Sequence, residues 1–131
     1  MKQEFVTYEQ ALALKKLGFD MPVNWFVSVN DVDEIWEGGE YNWNGYTEDK
    51  NISLPLKQQV FRWFRNKHNI LATVYSNASG YLYEWHDAIG GTHRGWSEYE
   101  GPNDSGVWDS YEEAESACID KLIELVKSKQ S

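Results

Sequence analysis

Two strand-like runs that follow each other with no room for a crossover must pair antiparallel, and residues 70–88 hold such a pair. Ile70 to Ser76 and Tyr81 to Ala88 are joined by Asn77-Ala78-Ser79-Gly80, a polar loop that ends in glycine. On the second arm Tyr81, Tyr83 and Trp85 alternate with Leu82, Glu84 and His86, the period of a half-buried sheet. This hairpin, at about 70–88, is flanked by helical patterns. The earlier helix, at about 54–68, carries Leu56, Val60, Phe61, Phe64 and His68 at spacings of three and four, with Pro55 in its first turn. The later one, at about 110–128, opens on Ser110-Tyr111-Glu112-Glu113, a capping box. It continues with a stripe of Tyr111, Ala114, Cys118, Leu122, Leu125 and Val126.

A third helix is expected at about 7–18. Thr7-Tyr8-Glu9-Gln10 forms its capping box and Gly18 its left-handed stop. Trp25 to Asn30 reads as a strand, and Glu34 to Trp36 with Glu40 to Trp43 as a hairpin turning at Gly38-Gly39. Five glycines between 90 and 107 make that stretch mostly loop, with a further strand at Trp96 to Glu100. The fold class that follows is α+β: an antiparallel sheet of three to five short strands, with three helices packed mainly on one face.

The chain has 131 residues, which is one domain, 1–131, large enough to bury about two-thirds of its unfolded surface without disulfide or metal staples. Phe61, Phe64 and Tyr111 are expected in its core. A single cysteine excludes an intrachain disulfide and suits a reducing compartment. With no apolar run of signal-peptide or membrane-span type, a soluble, cytoplasmic protein is expected.

Phe5-Val6-Thr7-Tyr8-Glu9-Gln10-Ala11, Gln59-Val60-Phe61-Arg62-Trp63-Phe64-Arg65 and Ser110-Tyr111-Glu112-Glu113-Ala114-Glu115 resemble a group of small uncharacterised proteins of Bacteroides-type gut bacteria and their phages. The three segments span both ends and the middle. The stretch 31–52 and the loop 90–107 fall outside the resemblance. It implies an accessory protein of phage or prophage origin and carries no activity with it. The order helix, strands, helix between 55 and 128 is also that of a double-stranded RNA binding domain. Such domains gather lysines at the start of the last helix, where this chain has Glu112, Glu113 and Glu115, so that likeness is rejected.

Charge is the most informative functional signal. Residues 1–50 hold four basic and ten acidic side chains, and residues 81–131 hold four and eleven. Residues 51–80 hold Lys57, Arg62, Arg65 and Lys67 with no acid at all, inside a chain of net charge −9. Arg62 and Arg65, three apart, share a helix face that Lys57 and Asn66 extend. An anion or acidic surface would find bidentate donors there. With 21 carboxylates in one small domain, however, pairing within the molecule is the ordinary expectation, at about 0–1 kcal/mol for each exposed pair.

Seven Trp, eight Tyr and five Phe exceed what such a core absorbs, so several rings are expected near the surface. Trp36, Tyr41, Trp43 and Tyr46, and in the second loop Trp96, Tyr99 and Trp108, are candidate anchors or, equally, lids over the sheet. Catalytic signals are weak. Cys118 lies on an apolar stripe and reads as a packed thiol. Glu84, His86 and His93 form the one cluster resembling a hydrolase site. His68, at a helix end, reads as an imidazolium favoured by the dipole. Neither Cys-x-x-Cys nor His-Glu-x-x-His occurs, so no metal and no cofactor is expected.

The leading reading is a non-enzymatic binding protein. It would recognise a protein partner or small anionic ligand through Arg62 and Arg65 together with Trp43, Trp96 and Trp108. A small hydrolase and a nucleotide-binding module are the alternatives. Long nucleic acid is disfavoured because phosphate binding draws its strength from cations.

Overall fold

The computed structural model describes residues 4–45, 50–87, 93–96 and 100–130. Helix α1, Tyr8–Leu17, begins where Thr7 and Gln10 cap each other. The Thr7 hydroxyl accepts from the Gln10 N–H at 3.1 Å, and Gln10 Oε1 accepts from the Thr7 N–H at 3.0 Å. Gly18 ends the helix in the left-handed region at φ +93°, where its N–H closes onto Leu14 and Lys15 carbonyls. Strand β1, Val23–Ser28, follows and then turns through Val29 and Asn30 into β2, Asp31–Tyr41.

β2 is therefore one continuous eleven-residue strand, where sequence pattern had predicted a hairpin at Gly38-Gly39. The turn lies earlier, in the tight two-residue link that leaves Ser28 opposite Asp31. Gly38 and Gly39 serve other purposes. A Cβ on Gly38 would overlap the ring of Trp43, which stacks on Phe26 with ring centres 4.2 Å apart. Gly39 sits at φ +86° in an irregularity where pairing shifts from Trp25 opposite Glu37 to Val23 opposite Tyr41.

A short strand unforeseen in the sequence, β3, Asn51–Ser53, adds to the other side of β1 and gives the order β2-β1-β3. Helix α2, Lys57–His68, starts two residues after Pro55 instead of including it. It has no hydroxyl cap, and the Leu56 N–H donates to Gln59 Oε1 at 2.8 Å. Asn69 stops it in the left-handed region. The predicted hairpin is present as β4, Ile70–Asn77, and β5, Gly80–Asp87. Its ladder runs on to Asn77 opposite Gly80, and Asn77 Oδ1 accepts the N–H groups of Ser79 and Gly80. Strand β6, His93–Trp96, lies just before the predicted position and completes a second sheet, β4-β5-β6. Helix α3, Tyr111–Gln130, ends the described chain.

The architecture is α+β with antiparallel strands, divided between two three-stranded sheets. α3 touches α1, α2, β4 and β5, and a common core runs from Phe5, Leu14 and Val27 through Val60, Trp63 and Phe64 to Ile119 and Leu122. Tyr111, expected in that core, is 39% exposed. Phe64 is fully buried, while Phe61 is half-buried at the margin and Trp63 takes the deeper position. Gln10, only 4% exposed, also ties α1 to α3. Its amide nitrogen donates to the Ser116 carbonyl, Ser116 Oγ and Asp120 Oδ1 at 2.9–3.1 Å.

Gly38→Ala should unseat the Trp43 ring and cost about 1–3 kcal/mol in urea unfolding. Glu40→Ala, two positions on at an exposed site, should change stability by under about 0.5 kcal/mol.

Candidate functional site

α2 divides into two faces of different chemistry. Inward, Lys57, Val60, Trp63 and Phe64 are buried. Outward, Gln58, Arg62, Arg65 and Asn69 recur at spacings of four, three and four, and all are exposed. Among the described residues neither guanidinium has a carboxylate within salt-bridge reach. The internal pairing expected from the abundance of acids does not occur at these two positions among the described residues, and segment 51–80 itself supplies no acid. Lys67 does lie near Asp20, with 3.9 Å between charged atoms and both side chains exposed. Gln58, at the head of the stripe, donates to Glu115 Oε2 at 2.6 Å.

Lys57 does not extend this face. It is 6% exposed, and its ammonium donates to the Glu112 carbonyl at 3.2 Å. With Leu56, Gln58, Tyr111, Glu112, Glu115 and Glu4 it lines a cleft of about 330 Å³ between the starts of α2 and α3. Burial raises the Glu115 carboxyl above its usual value, against the opposing pull of the Gln58 hydrogen bond and the Lys57 charge. Sequence reading missed this pairing, although Lys57 stands three residues before Val60 and so falls on the apolar stripe.

Two of the three candidate tryptophans, Trp43 and Trp108, pack against the fold. Trp43 donates its indole N–H to the Val23 carbonyl at 2.9 Å and rests on Phe26. Trp108 exchanges two 3.0 Å backbone hydrogen bonds with Tyr81, and its ring lies 5.7 Å from that of Tyr83. The side chain of Trp96 is outside the described residues, as are Tyr46 and Tyr99. Trp36 and Tyr41, both on β2, are the more open rings at 47% exposure each.

Glu84 and His86 lie 3.7 Å apart on β5, partly exposed. Position 93 pairs with Asp87 across the β5–β6 ladder, whereas His86 pairs with position 94, so His93 is one register step out of line with the other two. Its side chain lies outside the described residues. Cys118 is fully buried, and that burial pushes its thiol well above the usual range, away from the nucleophilic thiolate. Among the described residues no three His, Cys, Asp or Glu side chains gather to hold a metal ion. No helix among them is long and apolar enough to cross a membrane.

His68 departs from the reading that its helix end favours the charged form. Burial, then the nearby charges of Lys67 and Lys129, lower its pKa below the usual 6.5. The ring stands edge-on to Trp63 at 4.8 Å, and Nε2 is buried without a hydrogen-bond partner among the described residues.

No family model, curated protein or solved structure matches this chain.

Because the folded pKa of His68 is depressed, the unfolded chain takes up the proton first as pH falls, and stability is lost below about 6.5. His68→Phe should therefore melt higher than the wild type, with a margin that widens between pH 7.5 and 5.5. Thermal unfolding across that range checks it, and parallel curves would contradict it.

Proposed function

We propose that this protein is a non-enzymatic interaction module whose α2 face, centred on Arg62 and Arg65, docks an acidic surface of another protein. The observation that carries the reading is the pair of exposed guanidiniums left without carboxylate partners among the described residues, in a molecule bearing 21 acids. Arginine presents a planar fork of donors that suits carboxylates bidentately, and each charge-assisted bond is stronger than a neutral one. The face is an open helix surface. Three cavities among the described residues, of about 330–370 Å³, have neither Arg62 nor Arg65 in their lining, which favours a broad partner surface over a small enclosed anion. Gln58 and Asn69 add neutral hydrogen-bonding groups at the two ends of the stripe. A net charge of −9 opposes a long polyphosphate, so selectivity lies with a partner whose acids are few and local. The role fits an accessory protein of the phage or prophage kind that the sequence resemblance implies.

The test is fluorescence anisotropy with a labelled Glu- and Asp-rich peptide at low and moderate salt. The wild type should bind in a salt-dependent manner. Arg62→Glu with Arg65→Glu, checked for native circular dichroism, should bind at least about tenfold more weakly, the equivalent of about 1.4 kcal/mol. Equal binding by the folded double variant would remove the arginine face from function.

A further inference from the structure

We propose that the outer edge of β2, with the cavity beside it, binds an extended Lys- or Arg-rich segment of another protein by strand addition. This site is separate from the α2 face and does not depend on it. In the order β2-β1-β3, β2 is hydrogen-bonded on one side among the described residues, so its other row of backbone groups faces outward along residues 31–40. At about 3.3 Å per residue the strand runs about 36 Å, roughly twice the common strand length. Every residue of it is exposed except Ile35, which is half-buried. An edge this long and open is a template for a further strand unless something selects against wrong partners.

Charge makes the selection. Asp31, Asp33, Glu34, Glu37 and Glu40 lie on the strand, and no Lys or Arg occurs between Lys16 and Lys50. Among the described residues none of these carboxylates has an ion-pair partner. A second copy of the same edge would set acids against acids, which is destabilising across a ladder, whereas a basic strand would pair with them.

The cavity supplies the anchor. It holds about 340 Å³ between the start of α1 and the inner row of the sheet. Phe5, Val6, Val27 and Leu54 form a buried apolar floor. Glu9 on α1 and Asp33 on β2 stand on its walls and are themselves exposed. An apolar floor beneath two carboxylates matches a long side chain with a methylene stem and a cationic head, as in lysine or arginine. Further along the edge the exposed ring of Trp36 offers a face to a second cation.

A labelled ten-residue peptide of alternating Lys and Val serves as probe, read by anisotropy and by amide hydrogen exchange of the whole chain. The wild type should bind it, and exchange should slow across 31–41. The same peptide N-methylated at alternate residues keeps its charge but loses the ladder, and should bind at least tenfold more weakly. Glu9→Gln with Asp33→Asn should also weaken binding at least tenfold. Asp104→Asn with Glu124→Gln, an equal charge change at exposed sites off the sheet, should stay within twofold. Equal affinity for the N-methylated peptide, equal losses in the two double variants, or protection outside 31–41 would overturn the proposal. So would a dimer of the protein formed through this edge.

Discussion

Two three-stranded sheets that share no strand have to be joined by side-chain packing, and α3 is the element through which that packing passes. Its buried stripe of Ala114, Cys118, Ile119, Leu122 and Val126 meets α1 and α2 as well as β4 and β5, while α1 in turn meets β3. Hydrophobic burial of this kind is strong and non-directional, so by itself it leaves the helix free to slide or rotate. Gln10 removes that freedom. Its side-chain oxygen caps α1, and its two amide hydrogens are shared among three acceptors on α3; because the amide is buried, loss of those acceptors would leave a desolvated donor unsatisfied. A capping residue at the N-terminus of the chain thus fixes the relation of its first helix to its last.

Local chemistry in the sequence foretold local structure well. Thr7, Gln10 and Gly18 bound α1 as capping rules require, and the alternation from Tyr81 onward identified the second sheet. What the pattern could not decide was which of several adjacent apolar residues turns inward. Phe61 and Trp63 both fit a helical stripe with Val60 and Phe64, and the choice of Trp63 follows from Phe19 at 5.2 Å and Asp20 accepting the indole N–H at 3.2 Å, both supplied from distant sequence. Gly38-Gly39 misled for a related reason. A glycine pair signals a turn only when nothing else needs the space, and here the Trp43 ring does. The cleft at Lys57 and Glu115 was hidden likewise, since its parts lie on two helices 58 residues apart in the chain.

The aromatic surplus was legible as a count but not as a role. Trp43 on Phe26, Trp63 against Phe19 and Trp108 beside Tyr83 each attach a loop or helix to a neighbouring element. Three such attachments steady segments that hydrogen bonding alone would leave loose, such as the link after β2 and the approach to α3. Trp43 and Trp108 spend ring faces on these contacts. That shifts the weight to the surfaces where charge, not ring area, is uncompensated.

Those surfaces carry opposite signs, and the sign asymmetry has a physical consequence. At physiological salt a charge is felt over about 8 Å, so a partner at either face would be met on local terms. At greater distance the net charge of −9 governs encounter. It would draw a basic segment toward β2 from afar, and it would resist an acidic surface until the arginines of α2 were within a screening length. The acidic edge is therefore suited to fast capture, and the basic helix to a contact made only at short range, where bidentate geometry and not long-range attraction decides the outcome.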